Sequence, residues 1–407
     1  MIKVGRFTSA LILLAVGVLL LLDQMGDTNY LGYILDWWPV ILILLGIEYL
    51  WVNIRHQKSD RQLRLDVGGV LIAVVIVIGV VGVTQSKWIP TQWLNGMNWE
   101  SIVKGELGKK FEMGTTQVPL ADKTEKIVID NPYGSITVQP GSVNQIDIQR
   151  TVWVNRSDDK GAQEIANGTH LDYSEGSTLT IESKSDINRF ARKPTIELVI
   201  TVPERIKVDW LIKGENGKIE AAKLPVKDEV EVDTTNGSVN VSNVQGRLTA
   251  HTTNGSIKIA SIAGKVQLVT SNSSITAQDV TGDVEMKTTN GSITTERVTG
   301  EIQGKTTNGR ISVTDAPAAL KLETTNGSIT ATSRVVGGDW ELDTTNGRIE
   351  VQLPSNGSYE LDGRGSSVTT NLPLSITDKH IQGKIGSGQY RIKLDTSNSG
   401  ISVQRAD

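Results

Sequence analysis

The sequence predicts a chain of two parts: three N-terminal transmembrane α-helices, and an all-β C-terminal domain that forms a β-solenoid of the parallel β-helix type with repeats of about 18 residues. Three observations predict this. Apolar runs crowd the segment 1–83, the motif Thr-Thr-Asn-Gly returns with a short fixed period further on, and 40 Gly against 3 Phe suit a turn-rich β protein.

Composition narrows the classes of function. The 41 Lys and Arg against 45 Asp and Glu give a net charge of -4, so there is no reason to expect nucleic acid as a partner. Cys is absent, which excludes disulfides, thiolate metal sites and cysteine nucleophiles.

Three apolar runs, about 8–22, 37–52 and 67–83, make up a predicted membrane domain over residues 1–83. Each is near the lower length for a helix that spans the bilayer core, roughly 17–25 residues. The second run carries Trp at both ends and Pro39 in its first turn, which is typical of a helix that ends at the membrane interfaces. Glu48 lies inside this run, and we interpret it as snorkelling or packed between helices rather than as a proton or ligand site.

Charge predicts the orientation of these helices. Lys3 and Arg6 precede the first run, residues 23–36 are acidic without a Lys or Arg, and residues 53–66 hold four basic residues. The positive-inside rule then places the N-terminus in the cytoplasm and everything after the third run outside the cell, in a multi-pass protein of the cell membrane. A re-entrant hairpin formed by the first two runs would give the same result. The first run lacks a small-x-small cleavage site, so we expect an uncleaved anchor.

Asparagine marks the repeat in the C-terminal part. The motif or a close variant centres on an Asn at every eighteenth position, and the two outermost copies stand two positions further away: Asn216, Asn236, Asn254, Asn272, Asn290, Asn308, Asn326 and Asn346. Apolar residues recur three and five positions after Asn, and a second alternating segment follows a Gly ten positions after it. One unit therefore reads as strand, turn, strand, turn. The fixed period predicts a repeat fold that is regular over about 214–353.

Two folds fit this unit. Asn-Gly between alternating strands is a strong hairpin signal, which would give an antiparallel meander. Identity in phase from each repeat to the next favours parallel rungs instead, because like residues then stack roughly 4.8 Å apart and Asn can form a hydrogen-bonded ladder. In this preferred reading the motif is a structural corner and not a functional site, and we expect its Gly to supply positive φ. The corners are Asn236, Gly237, Asn254, Gly255, Asn290, Gly291, Asn308, Gly309, Asn326, Gly327, Asn346 and Gly347.

The predicted β domain covers residues 124–407 and follows a juxtamembrane linker at 84–123. Weaker copies of the repeat begin at Asn131 and end at Gln404, and we expect them to be terminal units that cap the sheet edges. Residues 141–215 are the least regular and are expected to hold cap strands and loops.

Candidate chemistry is sparse, and we expect neither catalytic, metal-ligating nor cofactor-binding residues. The four His are scattered without metal spacing, and no pair of carboxylates shares a repeated geometry. The repeat supplies no carboxylate at a fixed phase, so structural calcium is not expected. Paired Thr before each Asn read as β-formers and corner hydrogen-bonding groups. The chain is therefore not expected to be an enzyme.

Two resemblances carry the prediction further. "GVLLLLDQMG" followed by "WWPVILILLGIEYLW" resembles the membrane region of LiaI- and LiaF-type envelope stress proteins, over about residues 1–55. The copies of "TTNGSI…VTGxV" resemble the toast-rack domain of candidate adhesins, over about residues 124–405. The resemblance implies an extracellular β-solenoid-like module linked to sensing of envelope damage, without catalytic residues. The third apolar run lies outside the two-helix pattern.

Two functions stay open. In the first, the chain is a membrane-anchored, non-enzymatic sensor or regulator in which the solenoid binds an envelope component and the helices contact a membrane partner. Alternatively it is a structural or adhesive surface protein with the helices as a simple anchor. Expected partners are the lipid bilayer and either another membrane protein or a cell-wall component, with self-association as a further option. No cofactor is expected.

Overall fold

The computed structural model describes residues 2–4, 63–65, 108–156, 158–186 and 193–406. The chain divides into two compact units, Met1–Glu106 and Leu107–Asp407. In the first unit, β1 (Ile2–Val4) pairs in parallel with β2 (Leu63–Leu65). The predicted helices at 8–22, 37–52 and 67–83 lie outside the described residues.

The second unit is built of two long sheets whose strands are mostly parallel. One sheet has 15 strands, in the order β28 (Ser375–Thr377), β29 (His380–Ile385), β26 (Tyr359–Arg364), β30 (Tyr390–Thr396), β24 (Trp340–Thr344), β22 (Leu320–Thr324), β20 (Ile302–Lys305), β18 (Val284–Lys287), β16 (Val266–Val269), β14 (Arg247–His251), β12 (Val226–Asp233), β10 (Val208–Asn216), β4 (Lys126–Tyr133), β8 (Thr178–Ser185) and β7 (Thr169–Ser174). The other has 14 strands, in the order β27 (Ser367–Thr370), β31 (Gly400–Arg405), β25 (Ile349–Leu353), β23 (Ile329–Thr332), β21 (Ile311–Thr314), β19 (Ile293–Val298), β17 (Ile275–Thr281), β15 (Ile257–Ala263), β13 (Val239–Gln245), β11 (Ile219–Ala222), β5 (Ile136–Gly141), β9 (Thr195–Pro203), β6 (Ile146–Val154) and β3 (Lys109–Val118).

Successive repeats stack in parallel and in register. Ile257 pairs with Ile275 and Ile275 with Ile293, so each partner lies one repeat further along the chain. Each repeat supplies one strand to each sheet, so one rung is two strands joined by a corner. The parallel solenoid is therefore the fold of this region, and the antiparallel meander is not.

Inward side chains of the two sheets form one continuous hydrophobic core. The apolar residue three positions after Asn forms its central column, and every member is at most 2 % exposed: Val239, Ile257, Ile275, Ile293, Ile311, Ile329, Ile349 and Ile401. Burying one such side chain is worth about 1.5–3 kcal/mol. Trp210 and Trp340 are buried at either end of the regular region.

At the N-terminal end, the order of the rungs in space departs from their order in the chain. The rung of β4 and β5, which contains Asn131, lies between the rung of β10 and β11 and that of β8 and β9. It is therefore an inner rung, and the expectation that it caps the sheets is wrong. A helix, α1 (Asp159–Asn167), packs Ala162 and Ala166 against Val152 and Val154 of β6 in a second small core.

Part of the predicted linker belongs to the folded domain. Residues 109–118 form β3, the edge strand that pairs antiparallel with β6. This strand is hard to predict from the sequence because it begins with Lys109, Lys110 and Glu112. Charged residues are typical of exposed edge strands as well as of linkers.

The C-terminal end shows the same interleaving. The rung of β30 and β31, which ends near Gln404, lies between the rung of β24 and β25 and that of β26 and β27. The outermost strands are instead β28 and β27. The copy ending at Gln404 is therefore an inner rung and not the expected cap. The chain first forms β26 and β27 one rung further out and turns back at β28 and β29. It then places β30 and β31 between that outer rung and the rung of β24 and β25.

Candidate functional site

The repeated corner is an asparagine ladder. Nδ2 of Asn254 donates to Oδ1 of Asn236 at 2.7 Å, and the same bond recurs from rung to rung. The unbroken series runs through Asn216, Asn236, Asn254, Asn272, Asn290, Asn308, Asn326, Asn346 and Asn398, at 2.7 or 2.8 Å each. These amides are exposed, so the ladder ties the rungs together along one edge of the solenoid.

The first Thr of each pair is buried and joins two rungs. Oγ1 of Thr306 donates to the carbonyl oxygen of Gly291 on the preceding rung at 3.0 Å. It also accepts from the backbone N–H of Gly309 at 3.2 Å. The second Thr of the pair, Thr307, is exposed. The Thr columns thus satisfy buried backbone groups at the corner, where no strand ladder can reach them.

Glycine at the corner is required by close packing rather than by positive φ. A Cβ added to Gly309 would lie 1.7 Å from the carbonyl oxygen of Gly291, and a Cβ on Gly255 would meet that of Gly237 at the same distance. Neither Gly255 nor Gly309 has positive φ, so the expectation about its conformation is wrong. Stacked corners approach too closely for any side chain.

Two rungs depart from this rule, one at Ser273 and one at Ser399. Ser273 stands where Gly255 and Gly291 stand in the neighbouring rungs. Thr270 still donates to the carbonyl oxygen of Gly255 at 3.0 Å, but among the described residues no bond from the Ser273 N–H to Thr270 Oγ1 is present. The extra side chain therefore coincides with loss of half of the corner's hydrogen bonding.

The second corner places non-glycine residues in the left-handed region. Asn243, Ser261, Asp279, Arg297 and Asp315 have φ between 53° and 57°. They are exposed, and Arg297 binds Asp279 of the preceding rung through Nε at 2.6 Å and Nη2 at 3.1 Å. This pair holds the pKa of Asp279 below its ordinary value through the hydrogen bond from Arg297.

The two outer faces of the solenoid differ sharply in charge. On the 14-stranded sheet, the two outward columns from β13 to β23 carry two charged side chains in twelve: Asn240, Lys258, Thr276, Thr294, Ser312, Thr330, and Ser242, Ala260, Gln278, Glu296, Thr314, Thr332. We call this the neutral face. The matching columns from β12 to β22 of the other sheet carry seven in twelve: Glu231, Thr249, Gln267, Glu285, Gln303, Lys321, and Asp233, His251, Val269, Lys287, Lys305, Glu323. We call this the charged face.

Ion pairs between rungs occupy much of the charged face. Lys305 contacts Glu323 at 2.6 Å, and Lys321 contacts Glu341 at 3.2 Å. The hydrogen bond from Lys321 lowers the pKa of Glu341. Exposed pairs of this kind add little stability, about 0–1 kcal/mol each. These pairs give many charged side chains of this face a partner on a neighbouring rung. By contrast, few hydroxyls of the neutral face have a side-chain partner within the described residues.

Burial raises the pKa of Asp343 above its ordinary value, and the carboxylate of Asp395 on the next rung raises it further.

The described residues hold no group of three or more His, Asp or Glu that could bind a metal ion. The described histidines stand apart: His251 contacts Asp233 at 3.0 Å and His380 contacts Asp362 at 3.0 Å, while His170 lies near the N-terminal end. The predicted corner residues meet along one edge, where they form the ladder and not a pocket. Within the described ranges, no helix has the length and hydropathy needed to cross a membrane.

The solved structures that match this chain include three from bacteria. A candidate adhesin from Parabacteroides distasonis matches 60 % of this chain and 98 % of its own, at 13 % identity and a TM-score of 0.38. A candidate lipid-binding protein from the same organism matches 72 % and 97 %, at 13 % identity and a TM-score of 0.34. A candidate adhesin from Bacteroides fragilis matches 73 % and 97 %, at 12 % identity and a TM-score of 0.26. None of the curated proteins compared with the chain matches it.

Two families match the sequence. Residues 7–50 match the LiaI-LiaF-like transmembrane region, which makes the N-terminal part a membrane anchor. Residues 124–404, well over half of the chain, match the family described as Toastrack DUF4097. The parallel rungs with their Asn, Thr and Gly columns lie within that span, and the chain belongs to the Toastrack DUF4097 family.

Proposed function

We propose that this chain is a non-enzymatic, membrane-anchored protein of the cell envelope whose solenoid lies outside the cell and binds an envelope component, in the sensing or signalling of envelope stress. The observation that carries this is the union of a LiaI-LiaF-like transmembrane region and a toast-rack solenoid in one chain. A small multi-helix membrane part supports a role in signalling, because a pure anchor needs only one helix.

The orientation belongs to this proposal and has a direct test. The chain has no Cys, so single cysteines can be introduced into a clean background. Ser292→Cys, on the outer surface of the solenoid, should react with a membrane-impermeant maleimide in intact cells. Ser59→Cys, in the basic segment 53–66, should react only after permeabilisation. Labelling of Ser59→Cys in intact cells would show that the orientation is the opposite of the proposed one.

The neutral face is the contact surface in this proposal, and its occupant is an uncharged, hydroxyl-bearing polymer such as a wall glycan. Side chains that lack charge and offer free hydroxyls and amides match such a polymer, whereas the charged face is already paired. The face holds no aromatic side chain among the twelve, so each contact is weak. Columns repeated roughly every 4.8 Å can act together along a polymer, which raises the avidity.

A matched pair of substitutions tests this surface. Thr294→Lys places a charge in the middle of the neutral face, and Gln267→Lys places the same charge on the charged face. We expect Thr294→Lys to reduce sedimentation of the full-length protein with purified wall material, and Gln267→Lys to leave it unchanged. Equal effects of the two substitutions would rule out the neutral face.

The alternative is a structural or adhesive surface protein, which the rigid stack of neutral columns favours. Crosslinking of the full-length protein in cells, followed by mass spectrometry, separates the two. Capture of a kinase or another integral membrane regulator supports signalling. Capture of wall material or copies of the same chain alone, together with full function after replacement of residues 1–83 by one unrelated helix, supports the adhesive role.

A further inference from the structure

A cavity of about 280 Å³ lies at the N-terminal end of the solenoid, away from both faces. It forms where the C-terminal ends of β4 and β8 lie side by side, between β7 and the segment that enters β9. The regular Asn ladder does not extend here, because Tyr133 pairs with Asn216 in the position of the next Asn. The cavity therefore belongs to the interleaved rungs and not to the repeat.

Hydrogen-bond donors without partners converge on this cavity. Oγ of Ser185 is enclosed and has no hydrogen-bond partner in the described part of the chain. Nζ of Lys193 donates to the Tyr133 hydroxyl at 2.9 Å and lies 4.2 Å from the centre of its ring. An ammonium has three N–H donors, and a phenol that accepts keeps its own O–H free to donate. Lys193 and Tyr133 thus retain donors that can face the cavity, whereas the Ser185 hydroxyl is enclosed within its wall.

The other polar groups around the cavity are already engaged. The hydroxyl of Ser183 donates to Oδ1 of the buried Asn131 at 2.5 Å. Lys184 contacts Asp172 at 2.8 Å and Glu182 at 2.9 Å, and its hydrogen bonds to these carboxylates raise its pKa and keep it charged.

His170 stands between Asp172 and Asp186, at 3.6 and 3.7 Å. Asp186 is the acceptor that lines the cavity, and it faces this imidazole. Asp186 is thus opposed by His170, and no ion pair joins it to Lys193 among the described residues.

An ammonium without a carboxylate partner among the described residues, beside a phenol that can donate, selects a ligand rich in acceptor oxygens. The remaining wall is apolar and consists of Pro132, Pro194 and Ile196. We propose that the cavity binds a small organic oxyanion, a phosphate ester or a carboxylate. Its charged oxygens accept from Lys193 and Tyr133, and its body packs on the apolar wall. This site is independent of the polymer-binding face.

Calorimetric titration of the full-length protein in a non-ionic detergent tests the proposal. The probes are glycerol 3-phosphate and lactate, each compared with uncharged glycerol. We expect at least one anion to bind and glycerol not to bind. Lys193→Met and Tyr133→Phe should each weaken that binding about tenfold, the scale of one charge-assisted hydrogen bond. Lys265→Met, at an exposed lysine that directly precedes β16 in the regular repeats, is the matched control and should change the affinity less than twofold.

Two outcomes would overturn the site: both anions bind no better than glycerol, or both cavity variants bind like the parent. Tyr133→Phe keeps the ring, so it stays informative if Lys193→Met does not fold. The titration is repeated with the protein in nanodiscs of phosphatidylglycerol and of phosphatidylcholine. Weaker anion binding in the phosphatidylglycerol discs assigns the oxyanion to a lipid head group, and equal binding assigns it to a soluble molecule.

Discussion

The same chemical change, Thr to Val, should have opposite effects on stability at different places in neighbouring rungs. Val has nearly the shape of Thr without its hydroxyl, so the change isolates the hydrogen bonds. Thr306→Val removes the partner of the Gly309 N–H and of the Gly291 carbonyl. Each buried backbone group left without a partner costs about 1–3 kcal/mol. We expect a destabilisation of about 2–4 kcal/mol for the pair.

Two matched changes complete the test. Thr307→Val alters the exposed neighbour of Thr306 and should shift the free energy of unfolding by no more than about 0.5 kcal/mol. Thr295 is 1 % exposed, and its hydroxyl has no partner among the described residues. Thr295→Val removes that unsatisfied group and should stabilise by about 1–2 kcal/mol.

The assay is urea unfolding of the compact unit 107–407 followed by circular dichroism, with hydrogen exchange at the corner amides to locate the change. If Thr306→Val costs no more than Thr307→Val, the corner hydrogen bonds do not hold the rungs together. If Thr295→Val destabilises, the inward Thr has an unseen partner such as a buried water.

Three further changes test other parts of the solenoid. Ser273→Gly should stabilise by about 1 kcal/mol and protect the amide of residue 273 in hydrogen exchange, because the corner can then close as it does at Gly255; unchanged stability and exchange would show that the serine is accommodated without strain. Asp343→Asn should stabilise by about 0.5 kcal/mol at pH 8 and by less at pH 4 in thermal melts. Because the pKa of Asp343 is raised, the folded state holds the proton more tightly than the unfolded chain does. The stability that this group contributes therefore falls as the pH rises through the folded pKa. A gain in stability from Asp343→Asn that is equal at both pH values would exclude repulsion by Asp395. Deletion of residues 390–407 should remove exchange protection from 359–385 although those residues remain, and retained protection there would show that the end rung is stable by itself.

Much of the repeat could be predicted from the sequence, because single residue types such as Asn, Gly and Ile recur at fixed positions in each repeat. The column of Ile257, Ile275 and Ile293 and the ladder through Asn254 follow from identity in phase, and the structure confirms both. The reason for Gly255 was mistaken, since a sequence shows that a side chain is excluded but not whether conformation or a neighbouring backbone excludes it. The contrast between the two faces could have been found by comparing charge at the fourth and sixth positions after Asn with charge in the second strand.

The ends of the solenoid could not be predicted in this way. The segments around Asn131 and Asn398 have the local sequence pattern of a rung. Such a pattern predicts that a segment stacks in the solenoid, but it does not predict which two rungs it lies between. The cavity joins Tyr133, Ser185 and Lys193 from separate segments that meet only because the rungs are interleaved. No spacing in the sequence relates these residues.

The interleaved C-terminal rung has a consequence for the order in which the strands of the solenoid can pair during synthesis. Between residues 226 and 353, each new rung stacks on a rung that has already been made, one repeat earlier in the chain. The strands β26 and β27 are made next, but they join the stack of rungs only through β30 and β31, which are made later. The bond from Asn398 to Asn346 spans 52 residues where its counterparts span 18 or 20. The solenoid therefore lengthens rung by rung up to β25, and the rung of β26 and β27 is joined to it only after β30 and β31 have been made.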